Sequence, residues 1–463
     1  MKIEIIDFLL AGIYVLMFCV GGFLYQQKMR KLNPVYSYYV KGMLAKFIGG
    51  TIFCLIYVYY YGGGDTTIYN NDSISLNNLF FKNINAYYHI LIGDIQPIYL
   101  SEFDANTGAA GVYVRSYETY FVVRITSLIQ FFSFRNFLTT TILLSFISYI
   151  AIWKLFKLLC TFYPTIQHRL AQAILFVPSP LFWGSGILKD TYTFAAACWL
   201  TYAFYMAFIA RKKIATNLFV FILCVVLIIN IKPYIFIALV PGLVFWLNQH
   251  YITNFKYKIL KVLLGPVFAI LIGGTAFFLY SSFQDSLGQF SSTDKILNKA
   301  VATQQDLKAD YYKGNSFDIG DFDNTIGGVA SKAPLAIVAG LFRPFLWESK
   351  NVVMLLAGLE NLVLLVITIM LLIRLGPVRI YNRVKGDPVL FFCFIFSLFF
   401  AFSIGLSTSN FGALVRYKIP CIPFYATVLI VLYDMYITEK KQKLERQIKD
   451  RKNKMDKPTG INI

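Results

Sequence analysis

Repeated runs of about twenty apolar residues constrain this chain more than any other feature. Such a run is the length a helix needs to cross the roughly 30 Å hydrocarbon core of a bilayer. Eleven of them lie near residues 5–25, 42–61, 136–158, 170–187, 191–210, 214–231, 233–249, 259–281, 352–373, 389–407 and 412–436. Of the 463 residues, 57% are hydrophobic and only 14% charged, whereas soluble domains carry roughly 25% charge. An ordinary soluble protein is thereby excluded. The expected fold is all-α: a polytopic transmembrane helix bundle of about eleven spans over residues 1–436, followed by a basic tail over 437–463. The first run follows an almost uncharged start (Lys2, Glu4, Asp7) and is too long for a signal-peptide core, so it reads as a retained helix.

The net charge of +19 invites a search for an anionic partner such as nucleic acid, but its distribution answers differently. With the amino terminus outside, the inner segments are 26–41, 154–169, 211–213, 256–261, 374–387 and the tail. They hold 26 of the 43 basic residues and five of the 24 acidic ones. The remainder is nearly balanced, which is the signature of the positive-inside rule. The charge therefore orients the chain, carboxy terminus cytoplasmic, and calls for membrane lipid and no nucleic acid. In the tail, Lys440, Lys441, Lys443, Arg446, Lys449, Arg451 and Lys452 alternate with acids as a helix continuing beside anionic lipid would.

Seven cysteines in or beside apolar runs and three scattered histidines lack metal-ligand spacing. No phosphate-cradling glycine loop or dinucleotide fingerprint is present. Neither a metal nor a cofactor is implied.

Two outer segments, 62–135 and 282–351, exceed simple connectors, and loops of that length are usually functional or flexible. Within the first, residues 79–92 and 120–132 mix apolar and polar side chains as interfacial amphipathic helices do; a twelfth span is the alternative for one of them. In the second, Asp318 to Thr325 resembles a calcium loop but has Ile326 where the glycine belongs and Lys332 where the closing glutamate belongs, so it reads as a solvated loop. The alternating charges of 294–313 read as a surface helix.

The sharpest local feature is Gly62-Gly63-Gly64-Asp65-Thr66-Thr67-Ile68-Tyr69, where the second run leaves the membrane. Glycines permit a tight turn and close approach of a ligand. Asp65 is then an acid at head-group level, suited to act as a general base on a sugar hydroxyl; a helix C-cap with a solvated carboxylate is the plainer reading. Pro178-Ser179-Pro180 and Gly184-Ser185-Gly186 break the fourth run, which is tolerated where freed backbone is buried or lines a cavity. Outer or span-end cations follow at Lys189, Lys232, Arg343, Arg416 and Lys418. Charges near membrane depth usually face a cavity, although each alone could snorkel to lipid phosphate. Together they suit the phosphate of a lipid-linked sugar.

The Gly-x-Asp-x-x-x-Tyr pattern of Gly63 to Tyr69, with the run from Glu118 to Phe137, resembles the EpsG and Wzy-type group of polysaccharide polymerases. Arg416-Tyr417-Lys418-Ile419-Pro420-x-x-Pro423 is similar to the Arg-Tyr-x-x-Pro ending of the broader GT-C type membrane glycosyltransferases. The resemblance covers residues 40–235 loosely and 411–423 again. It departs at Tyr59-Tyr60-Tyr61, where an arginine often stands, and at Lys189-Asp190, where an arginine is usual. The resemblance implies Asp65 as the acid, Lys189 as a hairpin cation and Arg416 as the terminal one. It also implies polyprenyl-phosphate-linked sugar donor and acceptor, a bacterial cytoplasmic (inner) membrane, and a product destined for the cell envelope. Polymerase or single-sugar transferase both remain open. A flippase of lipid-linked saccharides and a non-enzymatic envelope-assembly protein are the rivals from other classes.

Overall fold

The computed structural model describes residues 2–253, 316–318, 320 and 326–455. The expected span 259–281, the charged stretch 294–313 and most of Asp318–Thr325 lie outside the described residues. Helices α1 (Ile5–Arg30), α2 (Tyr39–Leu55), α3 (Asp65–Lys82), α4 (Ile84–Ile92), α5 (Pro97–Leu100) and α6 (Tyr117–Ser133) come first. Then follow α7 (Phe137–Phe162), α8 (Gln167–Leu175), α9 (Pro178–Phe182), α10 (Lys189–Phe204), α11 (Ile214–Ile231) and α12 (Pro233–Thr253). After the gap stand α13 (Ile326–Ser331), α14 (Ala333–Phe342), α15 (Val352–Leu375), α16 (Pro377–Gly386), α17 (Pro388–Ser407), α18 (Phe411–Tyr417) and α19 (Ile422–Met455). The described residues contain no strand, only a bridge pairing Ser316 with Asn410.

Among the described residues, eight helical segments are long and apolar enough to cross a membrane: Ile5–Arg30, Pro34–Tyr60, Phe137–Phe162, Lys189–Ile209, Ile214–Ile231, Val352–Leu375, Pro388–Ser407 and Ile422–Asp450. They fit a membrane helix bundle. The centre belongs to α7, α10 and α17, whose Phe156, Phe194 and Phe396 are fully buried. At the rim, α1 buries only Ala11 and Gly22, as a helix solvated by lipid tails does.

The expected run at 170–187 is present but is not one helix. It travels along α2 in pieces, bringing Leu175 to Gly42, Leu181 to Gly49 and Gly186 to Phe53. Two prolines and two glycines prevent a continuous ladder, so its backbone groups need other partners, each costing several kcal/mol if left bare in an apolar medium. Side chains supply them. Lys46 donates to the Pro180 carbonyl at 2.8 Å and Glu360 accepts from the Ser179 N–H at 2.9 Å. Ser145 and Ser148, one turn apart on α7, donate to the carbonyls of Ser185 and Gly184, each at 3.0 Å. A Cβ at Gly49 would sit 2.2 Å from the Leu181 carbonyl oxygen, so only glycine lets this broken segment lie against α2.

Residues 62–135 are largely helical. The α3 helix was not expected from apolar periodicity because the stripe it buries is mostly polar. Gln130 of α6 donates to the Asn70 carbonyl and side chain at 3.1 Å, Ser73 to the Val123 carbonyl at 3.0 Å, and Asn77 to the Ser127 carbonyl at 3.1 Å. These hydrogen bonds set α3 and α6 side by side over one end of the bundle. At the opposite end gather basic residues: Lys157 on Tyr36, Arg169 on Asp434, Arg211 on Tyr251 and Arg383 on Glu439. All seven cysteines are free and six are buried.

Candidate functional site

Four separate segments deliver charged side chains to the end of the bundle capped by α3 and α6. The first begins where α2 finishes in a π-helical turn, Ile56–Tyr60. The Gly63 N–H closes on the Tyr57 carbonyl at 2.8 Å, and Gly62, Gly63 and Gly64 take φ of 70°, 129° and 138°, a left-handed sequence that side chains other than glycine rarely adopt. Gly64 becomes the N-cap of α3, with Thr67 accepting from its N–H at 3.1 Å. Asp65 therefore heads a helix rather than trailing one, where the macrodipole favours a carboxylate.

The second segment is the start of α10. Lys189 is its first residue, and a cation there works against the dipole by about 0.3–1 kcal/mol, so something other than helix stability places it. Asp190, next in the chain, is fully buried. Lys232, the third contribution, ends α11 and pairs with Asp190, while its ammonium lies 3.9 Å from the Tyr417 ring centroid. The fourth is Arg416 on α18, a helix capped by Asn410, which accepts from the Ala413 N–H at 3.1 Å.

These side chains meet. Both terminal nitrogens of Arg416 donate to Asp65 Oδ2 at 3.2 Å, and Nη2 lies 3.5 Å from Asp190 Oδ2. The guanidinium thus bridges two carboxylates, with Trp183 beneath it at 5.9 Å. Accessibility falls steadily inward: the side chain of Asp65 is 38% exposed, Arg416 19% and Asp190 1%. Lys189 is half-buried, acted on by the charges of Glu118, Lys232, Asp190 and Asp65, and forms no ion pair among the described residues. Three cations, Lys189, Lys232 and Arg416, thus stand among three acids, Asp65, Asp190 and Glu118. Since Lys232 is committed to Asp190, Lys189 is the cation left to meet a ligand, and Arg416 can follow by exchanging Asp65 for one.

A strap covers the acid. Residues 104–113 run back along α3: Asn78 donates to the Thr107 carbonyl at 3.3 Å, Gly108 lies on Ser75, and Gly111 on Asp72. The strap ends with the Tyr113 hydroxyl donating to Asp65 Oδ1 at 3.4 Å and the Tyr113 ring 5.5 Å from that of Tyr69. Burial, reinforced by the Asp65 charge, pushes the Tyr113 phenol up, so it stays a donor. Burial likewise pushes the Asp72 carboxyl up.

Of the residues expected from sequence, Asp65, Lys189, Lys232 and Arg416 are brought together, with Gly63, Gly64 and Tyr69 shaping the turn and the helix below it. Arg343 and Lys418 stand in a second group. Arg343 donates from Nε to Glu348 at 3.0 and 3.2 Å and lies over Phe317 at 4.6 Å. Lys418 is buried, donating to Asn361 and to the Arg343 carbonyl at 3.1 Å. Asp190 and Tyr113 were missed. Asp190 had a signal: an acid beside a lysine at the head of an apolar run needs a buried partner. Tyr113 had none.

No family model, curated protein or solved structure matches this chain. What the fold and the described residues define is a class: a helical bundle suited to a membrane, with a charged cluster beneath a polar helical cap.

Proposed function

We infer that the protein is an integral membrane glycosyltransferase or polysaccharide polymerase acting on polyprenyl-phosphate-linked sugars for the cell envelope. The observation that supports this best is the meeting of Asp65 and Arg416, 351 residues apart, beside Lys189, which has no ion pair among the described residues. In this reading the chain has about eleven spans, the Asp65 end faces outward from a bacterial cytoplasmic membrane, and the tail is cytoplasmic. An incoming phosphate competes with Asp65 for Arg416 and is held by Lys189. The freed Asp65 carboxylate accepts the proton of the acceptor hydroxyl as its oxygen attacks the anomeric carbon. The bond from that carbon to the phosphate oxygen breaks, and the lipid phosphate leaves with its charge stabilised by Lys189 and Arg416. Asp190 and Lys232 fix the arginine from below.

The expected outcome is that Asp65→Asn and Lys189→Ala each abolish polymer while the membrane protein level is unchanged. Normal polymer from both variants would sink the proposal.

One observation favours a second reading. The segment broken at Pro178–Pro180, held by the buried Lys46 and Glu360, is the kind of discontinuous helix that transporters use near their substrate. A flippase of lipid-linked saccharides predicts translocation in proteoliposomes that survives Asp65→Asn and fails in Lys46→Met. The enzyme predicts glycan product with the opposite sensitivity.

A further inference from the structure

An open surface groove of about 540 Å³ lies at the far end of α3, lined by Asn78, Phe81, Lys82, Asp104, Asn106 and Arg135. That volume is within the usual range for small-molecule sites. At 1.5 Å per residue, Asn78 is about 20 Å along the helix from Asp65. The same strap that ends on Asp65 begins here: Asp104 accepts from the N–H groups of Asn106 and Thr107 at 2.8 and 2.9 Å and pairs with Lys82 at 3.1 Å. One helix and one strap thus connect the charged cluster to this groove.

Three features point to a ligand. Phe81 is 68% exposed, yet the Arg135 guanidinium lies over its ring at 5.7 Å and also donates to Asn78, so a flat apolar face is held beside fixed polar groups. The Asn106 side chain lines the same opening and is exposed. Finally, α6 ends in two successive non-glycine residues with left-handed backbone, its C-cap Phe134 at φ 54° and then Arg135 at φ 62°. Glycine would take that conformation without strain, and strain of this kind gathers at binding sites.

An apolar platform edged by amides, a carboxylate and a guanidinium matches a sugar ring, whose C–H face is apolar and whose hydroxyls both donate and accept. We propose that this groove is a saccharide subsite that holds a chain several rings long whose reacting end lies at Asp65. The proposal rests on the reading of Asp65 as the reacting acid, and it adds a second contact point that a transferase handling a single sugar does not need.

The test uses the full chain in nanodiscs of zwitterionic lipid. The probe is the set of oligosaccharide fragments released by mild acid from the surface polysaccharide of the cells the protein is native to. Binding is read by saturation-transfer NMR and product length by gel. Phe81→Ala is expected to weaken fragment binding at least tenfold and shift product to shorter chains. Arg135→Gly separates binding from folding, since glycine suits the backbone there: thermal stability is kept or rises while fragment binding falls. Asp65→Asn is expected to bind fragments as the unaltered protein does. Fragment binding and chain length unchanged in both Phe81→Ala and Arg135→Gly would overturn the subsite, even with Asp65→Asn inactive. Should polymer persist in Asp65→Asn while Phe81→Ala loses fragment binding, the subsite stands and the catalytic reading falls. Absence of fragment binding, with the phosphate signals of the nanodisc lipid altered by Arg135→Gly instead, assigns the cations to lipid and overturns the proposal.

Discussion

The two groups of charges differ in what they hold. Around Asp65, ions hold ions: Arg416 bridges Asp65 and Asp190, and Lys232 answers Asp190. Around the Pro178–Pro180 break, ions hold backbone: Lys46 takes the Pro180 carbonyl and Glu360 the Ser179 N–H. A charge bonded to backbone cannot leave without exposing a group that has no other partner. A charge paired with a charge at a partly exposed site can be exchanged for a ligand of the same sign. The first arrangement suits chemistry and the second suits architecture.

The largest effect is expected where the two roles overlap. Arg416→Ala leaves Asp65 and Asp190 facing each other without their shared cation. Breaking a buried pair costs about 3–5 kcal/mol, and the lower end applies because Lys232 still holds Asp190 and Asp65 reaches water. A denaturation series in detergent should show a loss of about 3 kcal/mol along with complete loss of polymer. Stability equal to the unaltered protein would mean the arginine is not confined as the ion pairs indicate.

Next in size is Lys46→Met, which fills the same space and removes the bond to Pro180. An unsatisfied buried carbonyl costs about 1–3 kcal/mol, and relief of the buried ammonium offsets part of that. The expected loss is about 1 kcal/mol, with polymer formation per folded molecule unchanged. Full stability with polymer lost would reverse the comparison and place Lys46 in the chemistry.

The contrast also explains what could be read from the sequence. Spans such as Ile214–Ile231 are legible because a twenty-residue apolar helix has no alternative in lipid. The break at Pro178 and Pro180 was legible as a break, since proline removes a donor wherever it sits. What held the break was not, because Lys46 and Glu360 gain meaning only once α2 and α15 lie on either side of it. The α3 helix was hidden for another reason. Its buried face mixes Tyr69, Leu76 and Leu79 with a larger polar set, Thr66, Thr67, Asn70, Asp72, Ser73 and Asn77, a stripe that a search for apolar periodicity passes over. Asp65 and Arg416 were each visible as charges out of place, but their contact joins opposite ends of the chain, and no local pattern encodes which span ends are neighbours.

The smallest effect should come from the strap. Tyr113→Phe keeps the ring against Tyr69 and removes one hydrogen bond, the 3.4 Å contact to Asp65. A bond that long belongs at the weak end of the usual range, about 0.5 kcal/mol, which is a change of roughly twofold in an equilibrium or rate. Because the Tyr113 phenol is pushed up by burial, it remains protonated at neutral pH, and the difference between tyrosine and phenylalanine should not vary between pH 6 and 8. A twofold, pH-independent change in polymer yield per molecule would mark Tyr113 as a positioning residue for Asp65. A loss as complete as that of Asp65→Asn would instead make the phenol part of the proton transfer, and the line drawn between exchangeable and fixed charges would then have to include the strap.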